Sequence, residues 1–330
     1  MPVTIDLREF FTPEAVAQML KTLPPLRTPV VDTIFPEANR RQQGLPVVGV
    51  DEIVETTNAV PVVRRGSPSV PIGNEGRTIT YIEPQPIDVN SFFSAKDLND
   101  LKLLDKAGRQ QVVTNKIDRM RRVVRATTEG LAAQALTGQI AWPMKTEAGA
   151  LDTYQVGFGS TLSYDPTTLW DDTAKKAKDI LDDLIQMEAQ IQDESGYAQT
   201  KIWAGRLAFL ALAGVVENIS NKSAIKVSIS ERAINLAGYS VELMNVSYYD
   251  PATKTRKKIV DEKKVVMWAN DAPFTLLYCA IDDMKAGLLP MPFYARPVDE
   301  DDPSGVKILG KSKPLPVPVP KAICWATVVS

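Results

Sequence analysis

The stretch QQVVTNKIDRMRRVVRATTEGLAAQAL, residues 110–136, decides the fold. Val113, Ile117, Met120, Val124, Leu131 and Ala135 recur at steps of three, four and seven with charged residues between them, which is the spacing of one apolar stripe along an α-helix. Gly138 stands just past the end, where a helix stops most easily. A helix over 110–136 is a rod of about 40 Å at about 1.5 Å per residue, long enough to serve as a spine. Its polar side carries Arg119, Arg121, Arg122 and Arg125. These read either as the ordinary charged face of an amphipathic helix or as a surface for phosphates of nucleic acid or carboxylates of a neighbour, both suited to the guanidinium fork.

Away from the spine the chain changes habit. Of its 24 prolines, twelve fall in residues 1–100, nine in 271–330 and three between, so both ends should be extended or edge segments around a regular middle. Residues 12–21 predict one short helix, with Thr12 as cap and Pro13 at its first position. Pro24, Pro25, Pro29 and Pro36 then interrupt Leu26, Val30, Val31, Ile34 and Phe35, a segment with apolar anchors that must dock elsewhere. Residues 46–90 read as a long two-stranded ribbon, 47–63 with 78–82, whose turn region holds Arg64, Arg65, Gly66, Ser67 and Pro68. Two strands alone are marginal in water, so the ribbon should lie on another surface, a second copy of the chain being one. Arg64 and Arg65 at its tip are either solvated cations or interfacial ion-pair partners.

Beyond the spine, 140–144 and 154–158 flank a turn with Glu147, Ala148 and Gly149, predicting a hairpin. A helix is expected over 173–191, a strand over 201–204, a helix over 206–218, and paired strands over 240–248 and 258–268 joined by a charged turn. Pro314, Pro316, Pro318 and Pro320 precede a final strand at 322–329. Prolines at alternate positions of an extended segment strip the donors from one edge, protecting it against wrong pairing.

The net charge of -2 and a pI near 5.5 give no global field for a polyanion or an anionic membrane. The longest apolar run, 207–216, is far short of a membrane span. The start of the chain lacks the basic-then-apolar pattern of a secretory signal, and two cysteines make no disulfide framework, so a reducing cytoplasm is expected. There is no histidine, which removes the commonest general base and zinc ligand. No phosphate-binding glycine loop, nucleophile elbow or Cys-x-x-Cys occurs. The carboxylates of Asp171 and Asp172, Asp182 and Asp183, Asp282 and Asp283, and 299–302 are expected to be solvated surface, since adjacent residues point apart. Lysines in 254–258 and 263–264 mix with Asp261 and Glu262 as hairpin surface, and the five tryptophans are scattered as core residues rather than a base-stacking platform. No catalytic, cofactor-binding or metal-binding residue is nominated.

The order of arm, ribbon, spine helix, mixed domain and returning tail resembles the major capsid protein E family of tailed bacteriophages. The resemblance is carried by AVPVVRRG at 59–66 with YIEP at 81–84, by LTG at 136–138 closing the spine, and by FYAR at 293–296 and SKPL at 312–315 before the last strand. It implies an α+β chain with the Hong Kong phage-type major capsid fold: an extended N-terminal arm (1–45), an extended β-hairpin loop (46–90), a peripheral domain with the long spine helix (91–160 with 289–330) and an axial domain (161–288). It further implies self-assembly into pentamers and hexamers of an icosahedral head shell around packaged double-stranded DNA, assembled in the host cytoplasm and residing in the virion. A separate scaffold protein, a portal, a decoration protein and non-specific contact with DNA are the implied partners; no cofactor, metal or membrane is. Arg64, Arg65, Arg119, Arg121, Arg122 and Arg125 are then the candidate inter-subunit or DNA-facing contacts. A cellular nanocompartment shell, and an oligomeric enzyme with the ribbon as lid, are the alternatives.

Overall fold

Lys106–Ala135 form one continuous helix of 30 residues in a computed structural model that describes residues 8–11, 13–24, 26–51, 79–146, 149–217 and 226–330. The helix starts a turn earlier than its apolar stripe because Asp105 caps it, taking the Gly108 amide on its side chain at 2.7 Å and the Arg109 amide on its carbonyl at 3.1 Å. It stops where Gly138 turns to φ +82°; a Cβ there would lie 2.2 Å from the carbonyl oxygen of Gly159.

The chain divides into two units, Met1–Val48 with Glu83–Ala132 and Thr275–Pro316, and Gly49–Ile82 with Ala133–Phe274 and Val317–Ser330. Thr275–Cys279 pairs with Arg40–Gln43 and so joins the first unit, whereas Ile323–Thr327 pairs with Lys264–Ala269 and so joins the second.

In the first unit, Ile87–Ser94, Tyr294–Asp301 and Ser304–Ser312 form an antiparallel sheet with the 304–312 strand in the centre. Val113, Ile117, Met120 and Val124 of the spine share a core with Phe93, Phe293, Ala295 and Ile308, and with Phe10, Phe11, Val16 and Met19 from the start of the chain. Gly305 is required at the sheet, since a Cβ would meet the Phe93 carbonyl oxygen at 2.2 Å. A second sheet orders Arg40–Gln43, Thr275–Cys279 and Pro314–Val317, which puts the alternating prolines on an edge strand as expected. The helix Ala95–Asp100 was not foreseen, although Ser94 and Asp97 form a reciprocal capping box that S-x-x-D spells out.

The second unit is built on a seven-stranded mixed sheet, in the order Leu162–Tyr164, Ile323–Thr327, Lys264–Ala269, Thr200–Ala204, Tyr239–Leu243, Ala233–Leu236, Val227–Ile229. The helices Ala177–Ser195 and Arg206–Glu217 pack on it, and Trp203 and Trp268 meet in its core with ring centroids 4.4 Å apart. The expected pairing of 240–248 with 258–268 is corrected. Tyr239–Leu243 and Lys264–Ala269 flank Thr200–Ala204, and a separate hairpin pairs Ser247–Asp250 with Thr255–Lys258. Lys264–Ala269 is apolar on both faces after its first residue and takes a central place, while Thr255–Lys258 is exposed throughout and cannot. The helix expected from 173 begins at Ala177, because Lys175 is drawn away to the Thr168 carbonyl oxygen and to Asp183.

Gln139–Lys145 and Leu151–Gly157 form the predicted hairpin; Glu147 and Ala148 of its turn lie outside the described residues. Val48–Asp51 pairs with Ile79–Ile82 at the base of the expected ribbon. Its turn region, with Arg64 and Arg65, lies outside the described residues, as do Thr12, Pro25 and Asn218. No helix among the described residues is long and apolar enough to cross a membrane.

Asp171 and Asp172 are both exposed as expected, but the other two aspartate pairs divide. Asp182 and Asp282 are exposed, but Asp183 and Asp283 are buried, each because a cation comes with it: Lys175 at 2.7 Å and Arg296 at 2.8 Å. Burial alone would raise the Asp283 carboxyl, but Arg296, the Lys285 amide and Lys311 outweigh it and hold the group below its ordinary value. Its contribution is therefore present above the ordinary carboxylate value and is lost as pH falls through the lower folded value. Acid titration of unfolding should show the stability difference between wild type and Asp283→Asn constant above about pH 5 and shrinking below about pH 3.

Cys279 and Cys324 are unpaired and buried. Burial pushes their thiols up to about 11 and about 12, respectively. Because the thiolate is the nucleophile, both should resist alkylation at pH 8 in the folded protein and react after denaturation, as mass spectrometry of labelled chains would show.

Candidate functional site: the arginine face of the spine helix

Arg121 and Arg122 lie three and four residues after Asp118, Arg125 three and four residues after Arg122 and Arg121, and Glu129 four after Arg125, so one stripe of the spine carries five charged groups. The segment that lies along this stripe is the proline-interrupted one, Pro24 to Arg40, of the same chain. Its apolar anchors are spent internally: Val30, Val31, Ile34 and Phe35 are all buried.

The local chemistry follows from Pro29. Proline at the first position of the five-residue helix Pro29–Thr33 has no amide hydrogen, so the orphan donors at the helix start are those of Val30 and Val31. Both are buried, and both donate to Glu129: Val30 N to Oε1 at 2.7 Å, Val31 N to Oε2 at 3.0 Å. The spine thus caps the arm's helix from outside, with a carboxylate where a helix start favours negative charge. Burial pushes the Glu129 carboxyl above its ordinary value, more than the two amides and Arg125 draw it down.

The arginines complete the seam. Arg125 Nε donates to Thr28 Oγ1 at 2.8 Å and its Nη2 to Asp32 Oδ1. Asp32 also takes Arg40 Nη2 at 2.9 Å and, through its other oxygen, the Thr28 amide at 2.8 Å. Arg40 Nε donates to the Phe35 carbonyl at 3.0 Å. Arg121 Nη2 bridges the Pro24 carbonyl at 2.8 Å and Asp118 at 3.0 Å. Among the described residues Arg122 is ion-paired only with its helix neighbour Asp118, at 2.7 Å, and stays 55% exposed; Arg119 is exposed.

Of the six arginines singled out from sequence, two are therefore committed to the chain's own arm, two face outward, and Arg64 and Arg65 lie outside the described residues. The segment expected to need a foreign surface finds one on its own spine. Sequence reasoning missed Glu129, Asp32 and Arg40. Glu129 did leave a signal: it is the one acid in an otherwise small and apolar helix end, 126–136, where an ionised group needs a buried partner. Among the described residues no three carboxylate or thiol groups converge as a metal site would require.

The sequence profile of the phage major capsid protein E family matches residues 12–328. The chain belongs to that family. Among solved structures, this capsid protein is similar to a prophage capsid protein of E. coli CFT073, at 15% identity and a TM-score of 0.62 over 96% of this chain and 98% of the other. It is also similar to a phage-related protein of Bordetella bronchiseptica RB50, at 10% identity and a TM-score of 0.52 over 96% and 97%. No curated protein matches it. The capsid protein is thus an α+β chain with the Hong Kong phage-type fold and a shell-forming structural subunit of the virion.

Proposed function

We propose that this subunit closes into pentamers and hexamers of an icosahedral head around packaged double-stranded DNA, and that it works through surfaces alone, without catalysing a reaction. The observation that carries the reading is the family match along nearly the whole chain, 12–328. Heterologous contacts that close into rings, and rings into a shell, need large and repeated interfaces, often upwards of roughly 2,000 Å² in total. Extended parts supply such area cheaply in residues. In this reading 1–45 is the arm and 46–90 the loop that overlaps neighbours, 91–160 with 289–330 the peripheral domain, and 161–288 the axial domain.

The charged stripe refines the role of the arm. With Arg121, Arg125 and Glu129 engaged by residues 24–40, the base of the arm is fixed before assembly, and what reaches a neighbour starts from a defined place. Ordering cost at the contact falls accordingly. Arg119 and Arg122 keep their charge outward, available to DNA phosphates or a neighbour's acid, and Arg64 and Arg65 are assigned the same role from sequence alone. Assembly takes place in the host cytoplasm with a separate scaffold protein, a portal and a decoration protein as partners.

The contents of particles purified after infection or induction test this reading. Nuclease-protected DNA of uniform length is expected; a shell filled with a co-purifying enzyme would instead assign the chain to a cellular compartment, and an active small oligomer to an enzyme.

A further inference from the structure

The hairpin of Ser247–Asp250 with Thr255–Lys258 has two unlike faces. Register pairs Tyr248 with Lys257 and Asp250 with Thr255 on one of them. There Tyr248 lies against Trp142, with ring centroids 6.1 Å apart, and the buried Asp250 is ion-paired with Lys257, so the charge on this face is self-neutralised. The opposite face pairs Tyr249 with Arg256 and Ser247 with Lys258. Tyr249 is 55% exposed, and Arg256 and Lys258 are exposed, as is Lys254, held in the turn at φ +55°. Lys258 donates to the neutral Asn245. Among the described residues neither Lys254 nor Arg256 has an ion-pair partner. The Tyr249 ring shares its face with Arg256 and Lys258, Lys254 stands in the adjoining turn, and among the described residues no acid is ion-paired with any of the three cations.

An opposite feature ends the other long hairpin. Tyr294–Asp301 and Ser304–Ser312 close over Asp301 and Asp302, which are exposed and, among the described residues, have no cation at their carboxylates. Glu300, one residue earlier, is paired with Lys307 at 3.2 Å. Each tip thus carries charge that its own hairpin leaves uncompensated, of opposite sign. The whole chain is nearly neutral at -2, so the basic face is a local feature rather than part of a cationic field of the kind that draws polyanions without specificity.

We propose that the Tyr249, Lys254, Arg256 and Lys258 face receives the Asp301 and Asp302 tip of a neighbouring copy of this chain. The contact rests on the reading of the protein as a shell subunit and names two surfaces by which copies meet. The guanidinium fork of Arg256 matches a carboxylate, Lys254 adds a second charge, and the Tyr249 ring gives the contact an apolar floor that excludes water.

A charge-exchange experiment tests it. Assembly of purified chain is followed by light scattering and electron microscopy at low salt for wild type, Lys254→Glu with Arg256→Glu, Asp301→Lys with Asp302→Lys, and all four together. Each double reversal should raise the concentration needed for closed particles by about tenfold or more, because like charges then face each other. The fourfold chain should return to within about twofold to threefold of wild type, which also shows that the reversals do not act through misfolding. Unchanged assembly in either double reversal, or no recovery in the fourfold chain, overturns the contact. If the basic-face reversal assembles normally but its particles retain less DNA, that face meets nucleic-acid phosphates and the proposal falls. A wild-type chain that forms no particles removes the shell reading, and the contact with it.

Discussion

Asp183→Ala is expected to lower the stability of the second unit by about 3–5 kcal/mol, because it leaves the buried Lys175 ammonium without its counter-charge. The loss is not confined to one pair. Asp183 Oδ2 also takes the Trp170 indole hydrogen at 2.8 Å, and Oδ1 the Tyr164 hydroxyl at 3.0 Å, so three donors lose their acceptor together. Burial, and then the adjacent Asp183 carboxylate, push the Tyr164 phenol up to about 12, so it remains a donor at any pH where the protein is handled. The remedy is as diagnostic as the injury. Lys175→Met with Asp183→Leu should recover only part of the loss: replacing both members of a buried ion pair by apolar groups is often near neutral, but the Trp170 and Tyr164 donors still lack their acceptor. Urea denaturation of the two variants checks this; a single variant as stable as wild type would show that Lys175 finds water or another acid instead.

Glu129→Ala is the second large effect, about 2–5 kcal/mol from stranding two buried amides at the start of Pro29–Thr33. Its reach is limited, because the segment can peel from the spine without unfolding the unit. The expected signature is therefore local: hydrogen exchange at Val30 and Val31 accelerates strongly while the core around Ile117 and Ile308 stays protected. Glu129→Gln should fall between, its carbonyl oxygen still able to accept from one of the two amides. Uniform loss of protection across the unit, or none, would contradict the assignment of this carboxylate as the arm's cap.

The two variants mark where sequence reading succeeds and where it stops. The spine was legible because its stripe spans many turns and each step repeats the same signal. Strands such as Thr200–Ala204 and the 139–157 hairpin were legible through local patterning and a turn glycine. What was not legible depends on partners distant in the chain. Val30 and Val31 stand nearly a hundred residues from Glu129, so an apolar, proline-broken segment read as one in need of a foreign surface. Asp182 and Asp183 look alike in sequence, yet helix geometry turns one outward and the other onto Lys175. The expected pairing of 240–248 with 258–268 misled for a related reason: neighbouring strands in sequence usually pair, but burial of both faces sent Lys264–Ala269 to the middle of the sheet.

The chain is a shell-forming structural subunit, and its ion pairs suit that role. Arg125 with Asp32, Lys175 with Asp183 and Arg296 with Asp283 each tie separate segments together. Each holds its segments in place within one unit, which suits repeated identical contacts.

Electron microscopy of the purified chain, produced alone and with the proposed scaffold protein, tests the central claim most directly. Closed particles of uniform diameter are predicted, built from rings of five and six subunits. A monodisperse small oligomer at every concentration, with no closed particle formed, would contradict it.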